Sequence, residues 1–106
     1  MPTGYYGYKL RRAAALRDAV AVSTALAAEP LTPIEHRWRG AHERYQNVTA
    51  PKVRLLWPRL ATAATFRDVD ASAVVRLHER LQGYWEPELA AQLERALDRW
   101  EAKQKL

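Results

Sequence analysis

The sequence predicts an all-α protein: a small antiparallel three-helix bundle, its third helical segment broken at Gly83, preceded by an extended N-terminal arm. Three observations predict this class. Apolar residues recur at steps of three and four through most of the chain. Prolines and glycines fall where helices start and stop. No stretch alternates apolar and polar residues, and no Asn-Gly or Asp-Gly hairpin turn is present.

Residues 1–7, MPTGYYG, hold two glycines and no periodicity, so they read as the arm, with the bundle domain over 8–106. From Tyr8 a helix is expected, with Leu16, Ala19, Val20, Ser23, Leu26 and Ala27 on one face and Pro30 as its stop. Thr32 is a good N-cap, Pro33 fits the first helical position and Glu35 is the capping-box acid. Ile34, Trp38, Ala41, Tyr45 and Val48 make one stripe, continued by Val53, Leu56 and Leu60. This spacing predicts a helix from about Pro33 to the Ala61–Ala64 region, bent near Pro51, with Pro58 a second weak point. TFRDVDAS, residues 65–72, reads as a loop in which Asp70 or Ser72 caps a short helix carrying Val74, Leu77 and Leu81. Gly83 is expected to end that helix in the left-handed conformation. Pro87 then belongs to the first turn of the last helix, with Glu86 and Glu88 at its positive end. Leu89, Leu93, Leu97 and Trp100 form its buried stripe.

A chain of 106 residues holds one domain, and an apolar content of 48% excludes a disordered tail. The absence of cysteine excludes disulfides, thiol chemistry and zinc knuckles. No run of about 18 apolar residues exists, so no membrane span is expected. The formal charge of +5 and the pI near 9.9 suit an acidic partner. The basic residues are concentrated early: seven Lys/Arg against four acids over 29–68, but six against seven over 69–106. YKLRRAAALRDAVAVSTALAA is rich in Arg and Ala, the composition of a mitochondrial targeting helix and equally of an ordinary amphipathic one. If it targets, it does so as a retained signal.

Catalytic and ligand-binding patterns are missing. His36, His42 and His78 stand at no metal-binding spacing, and none of the four glycines lies in a phosphate loop. No serine sits in a nucleophile elbow. Neither an enzyme active site nor a cofactor or metal site is expected. NVTAPKVRLLWPRL, residues 47–60, leaves an alternative open: a basic helical nucleic-acid-binding protein, with Thr49 capping a recognition helix and Lys52, Arg54 and Arg59 on phosphates. The other reading of that stretch is a kinked bundle helix with a basic outer face.

Taken together, several stretches resemble one family. TGYYGYKL resembles the Thr-Gly-x-x-Gly opening of the thirteen-kilodalton alpha-subcomplex subunit 5 of mitochondrial complex I. EPLTPIEHRWR stands where that family has a proline-marked turn and an aromatic-Arg pair, and RYQNVTAPKVRLL where its second helix runs. DVDASAVVRLHERLQGYWEPELAAQLERAL is similar to its third segment. Pro87 replaces an acidic residue of the family pattern and Pro51 intrudes in the second helix. The resemblance implies a non-catalytic accessory subunit of NADH:ubiquinone oxidoreductase without an active site or cofactor of its own. It would form part of a hetero-oligomer on the peripheral arm, at the matrix side of the mitochondrial inner membrane. Its neighbour would be the thirty-kilodalton core subunit, with no nucleic acid bound and no membrane span. The residues expected to meet neighbours are Tyr5, Tyr6, Arg11, Arg12, Arg39, Arg44, Arg54 and Trp85, with Gly83 and Pro87 as the structural hinge.

Overall fold

The computed structural model describes residues 19–27 and 30–105, and every regular element among them is helical. The arm over 1–7 and the expected helix start at Tyr8 lie outside the described residues. Helix α1 spans Ala19–Leu26 and α2 spans Pro33–Arg44. A π-helical turn, Tyr45–Thr49, joins α2 to α3, Ala50–Thr65. Helix α4 spans Val69–Gly83 and α5 spans Pro87–Gln104.

The start of α2 follows its sequence signals. The Glu35 amide donates to Thr32 Oγ1 at 3.1 Å, and the Thr32 amide donates to Glu35 Oε1 at 2.9 Å. This reciprocal box satisfies two of the amides that every helix start leaves without an internal partner. Proline at the first position forfeits nothing there.

The bend expected at Pro51 is resolved by the π turn just before it. Pro51 has no N–H, and its ring crowds the carbonyl one turn back. The wider turn over Tyr45–Thr49, closed by the Ala50 amide on the Tyr45 carbonyl, accommodates it without a break. The extra residue shifts the buried face by one position. Val48, expected inside, is 46% exposed, and Thr49 is buried in its place. Ile34, also expected inside, is exposed in the first turn, where the buried capping box takes the inner side. Beyond the bulge Val53 and Leu60 return to the core, and α3 continues through Pro58 to Thr65.

The turn between α3 and α4 is shorter than the expected loop. The Asp68 amide donates to the Ala63 carbonyl and the Arg67 amide to the Ala64 carbonyl, the pair of bonds that closes a Schellman C-cap. Its left-handed residue is Arg67, at φ 62°. Asp68, rather than Asp70 or Ser72, caps α4, accepting from the Ala71 amide at 2.9 Å. Asp68 is the first residue after the left-handed turn, so its side chain alone can reach the first free amides of α4.

Gly83 is not left-handed: no described glycine has a positive φ. It is the last residue of α4, and the chain turns at Tyr84, which is extended at φ −149° and ψ 93°. Pro87 at the first position of α5 both forbids continuation of α4 and suits a new start, so the corner Tyr84–Glu86 needs no glycine.

Side-chain pairs fix the packing directions. Arg44, Lys52 and Arg59 meet Glu94, Glu101 and Gln104 in ascending order, so the long α2–α3 rod and α5 run the same way. Asp68 and Asp70 meet Lys103 and Arg99, so α4 runs against α5. The core is a file of side chains between them, including Val53, Leu60, Val74, Leu81, Leu93, Leu97 and Trp100. Burying each of the larger apolar groups contributes about 1.5–3 kcal/mol. Helix α1 adds Val22 and Leu26; Val20, expected on its inner face, is 74% exposed. AVAVSTAL is apolar or small all round, so spacing alone does not choose its face.

Candidate interaction surface

Charge on the described residues is divided by the packing. On one side, α5 places its carboxylates on the bases of the long rod. Arg44 makes a forked pair with Glu94, its Nε 2.9 Å from Oε1 and 3.1 Å from Oε2, and Lys52 Nζ lies 3.0 Å from Glu101. Lys103 Nζ bridges Asp68 and Asp70, at 3.0 Å from each, and Arg99 also reaches Asp70. Arg44 holds the Glu94 carboxyl below its ordinary range. The Ala71 amide and then Lys103 do so for Asp68, and Lys103 is the chief cause for Asp70. These pairs align the helices and commit Glu94 and Glu101 of α5 to the long rod.

On the other side the second half of the rod has no acid to spend. From Arg44 to Arg67 there is no aspartate or glutamate, while Arg44, Lys52, Arg54, Arg59 and Arg67 are basic. With Arg44 and Lys52 neutralised by α5, three arginines remain on α3 and its following turn. Arg54 and Arg67 form no ion pair among the described residues. Arg59 lies 5.2 Å over the Trp100 ring and bonds a neutral amide, Gln104, so it keeps its charge. Among these arginines stand apolar side chains that the core does not take: Leu55 and Phe66 are each 80% exposed and Val69 is 78% exposed.

Trp85, expected as a contact for neighbours, is 1% exposed. It is the centre of an internal aromatic cluster, with the rings of Trp38, His42 and Tyr45 edge-on at 6.0, 4.9 and 6.3 Å. Tyr84–Glu86 turns the chain so sharply that the Trp85 ring is driven under the π turn, and it ties the α4–α5 corner to α2. Arg44 is committed to Glu94, and Arg39 lies 3.1 Å from His36 Nδ1. Arg54, also an expected contact, is exposed and forms no ion pair among the described residues. Tyr5, Tyr6, Arg11 and Arg12 lie outside the described residues. Leu55, Phe66 and Val69 were not among the expected contacts, although the acid-free stretch and the step of eleven from Leu55 to Phe66 are readable in the sequence.

His42 is buried and His78 half-buried. His42 packs on Trp85, and burial lowers its pKa against a weaker opposing effect of Glu43. His78 packs on Trp57 with ring centroids 5.2 Å apart, and its pKa is lowered by burial and then by Arg54. Neither has a serine or carboxylate placed as a catalytic partner, and no group of three His, Cys, Asp or Glu among the described residues could hold a metal ion. The segment 47–60 lies inside the continuous rod from Pro33 to Thr65, so it lacks the turn that a helix-turn-helix places before its recognition helix. No described helix is long and apolar enough to cross a membrane. Comparison of the chain with protein-family models, with curated proteins and with solved structures finds no match.

Proposed function

We propose that this chain is a non-catalytic accessory subunit that acts by docking on a larger assembly, and that the assembly is respiratory complex I, as the resemblance of its ordered motifs implies. In this reading the whole chain is a three-helix bundle with an extended arm, set on the matrix-side peripheral arm beside the thirty-kilodalton core subunit. The observation that carries the docking part is the outer face of α3 and the turn that follows it. Leu55, Phe66 and Val69 are left about four-fifths exposed on a rigid helical body whose other large apolar side chains are mostly folded away. A monomer gains nothing from leaving them there, whereas a subunit that covers them with a neighbour recovers their transfer free energy.

The test is native electrophoresis of mitochondrial membranes from the source cells. The protein is expected to migrate with NADH dehydrogenase activity. Recovery solely as a free species of its own size defeats the assignment.

A further inference from the structure

The outer face of α3 has a shape and a charge that specify its partner. Leu55, Thr62 and Phe66 follow one another at steps of seven and four, so they lie on one line along the helix. Leu55 and Phe66 are thus separated by about 16 Å of helix axis. The π turn brings Val48 onto the exposed side two turns earlier. The apolar line is one side chain wide. That is the width of the seam along which two helices pack, and it is narrower than the broad apolar face of a helix lying in a lipid surface. Arg54 directly precedes Leu55 and flanks the line, and Arg67 directly follows Phe66 at its far end; neither arginine forms an ion pair among the described residues, and Asp68, next to Arg67, is held by Lys103. The chain's own N-terminal residues are a poor occupant, since residues 1–18 carry Lys9, Arg11, Arg12 and Arg17 against the single acid Asp18.

We propose that the outer face of α3, with Leu55 and Phe66 as its apolar anchors and Arg54 and Arg67 as its charges, is a docking seam for an acidic amphipathic helix of a partner protein. This rests on the docking reading above and adds the chemistry of the partner. The partner helix presents apolar side chains at heptad spacing to Leu55 and Phe66, and its flanking carboxylates meet the arginines.

The experiment uses the full chain, which has no cysteine, so that Thr62→Cys takes a single environment-sensitive dye in the seam and Gln92→Cys takes the same dye on α5 as a control. The probe is a synthetic helical peptide of about 21 residues with leucine at the two apolar heptad positions and glutamate beside them. Its counterpart carries lysine for every glutamate. Phosphatidylcholine vesicles containing phosphatidylserine are the third probe. The glutamate peptide is expected to shift the dye at position 62 and not at 92, and to bind at least about tenfold more tightly than the lysine peptide. Leu55→Ser with Phe66→Ser, or Arg54→Glu with Arg67→Glu, is expected to weaken that binding about tenfold, with circular dichroism showing each variant folded. The seam is overturned by equal response to the two peptides, by no response to the glutamate peptide at position 62, or by a dye response to the vesicles alone, which assigns the face to a membrane surface. This outcome is independent of electrophoresis: co-migration without peptide binding removes the seam alone, and peptide binding without co-migration removes complex I alone.

Discussion

Gly83→Ala tests the corner between α4 and α5. A glycine held in the left-handed region resists replacement, because a Cβ there strains the backbone by about 1 kcal/mol or more. Gly83 has no such conformation: it ends α4 with right-handed backbone. A Cβ built on it meets no atom within 4 Å. The substitution therefore adds no clash and removes glycine's excess freedom from the unfolded chain, a stabilisation of about 0.5–1 kcal/mol. With an unfolding entropy of about 2.1 cal/mol/K per residue over 106 residues, that raises Tm by about 2–5 °C. Gly83→Val forfeits most of the gain through its restricted χ1 and should lie within about 0.5 kcal/mol of the parent. Thermal melts followed by far-UV circular dichroism, with urea melts for free energies, measure both. A fall of about 4 °C or more in the alanine variant means that the residue is left-handed after all and refutes the reasoning.

The strain absent at Gly83 is present at Arg67, so Arg67→Gly should stabilise by up to about 1 kcal/mol while Arg67→Val destabilises by about 1–2 kcal/mol, both read from urea midpoints. Trp85→Ala should cost about 3–5 kcal/mol and abolish near-UV ellipticity, as expected for the centre of a core cluster and not for a rim contact. Asp68→Ala should cost about 1 kcal/mol for the lost cap, visible as a lower urea midpoint. Burial depresses the folded pKa of His42 and His78 below 6.5, so the unfolded chain takes up protons first as pH falls; stability is full above 6.5, declines as pH falls toward the folded values and is level below them. His42→Gln with His78→Gln should remove that step from Tm against pH, and its persistence in the double variant would assign it elsewhere.

Where a residue acts on its immediate neighbours, the sequence showed the structure well. Thr32, Pro33 and Glu35 make a local motif, and nothing distant competes with it. The same holds for Pro87 at the start of α5 and for the stripe Leu89, Leu93, Leu97 and Trp100, all buried. Gly83 misled because glycine permits a left-handed stop without requiring one; the stop is imposed by Pro87 four residues later. Arg67 could not be found, since the Schellman turn there is forced by the docking of α4 on α3 and not by a residue that prefers it. The contact residues were harder still. Trp85 looks like a surface aromatic beside Tyr84 in the sequence, and only the corner geometry takes it inside. Arg44 has its acid fifty residues away, on a helix whose register local spacing does not reveal.

The π turn joins these observations. Tyr45 and Val53 are eight residues apart, which leaves them about 80° out of phase in an uninterrupted α-helix. Both are buried, and the π turn that brings them nearer to one line lies just before Pro51, where the ladder is already missing a donor. With the extra residue absorbed there, Trp38, His42 and Tyr45 meet Trp85 while Val53 and Leu60 return to the core. Val48 then has to leave that side, and it emerges on the exposed side with Leu55. The feature that lets one long helix satisfy both halves of the core is thus also the feature that extends its outer apolar line. A proline tolerated in mid-helix and an apolar residue left in water are two consequences of a single inserted residue.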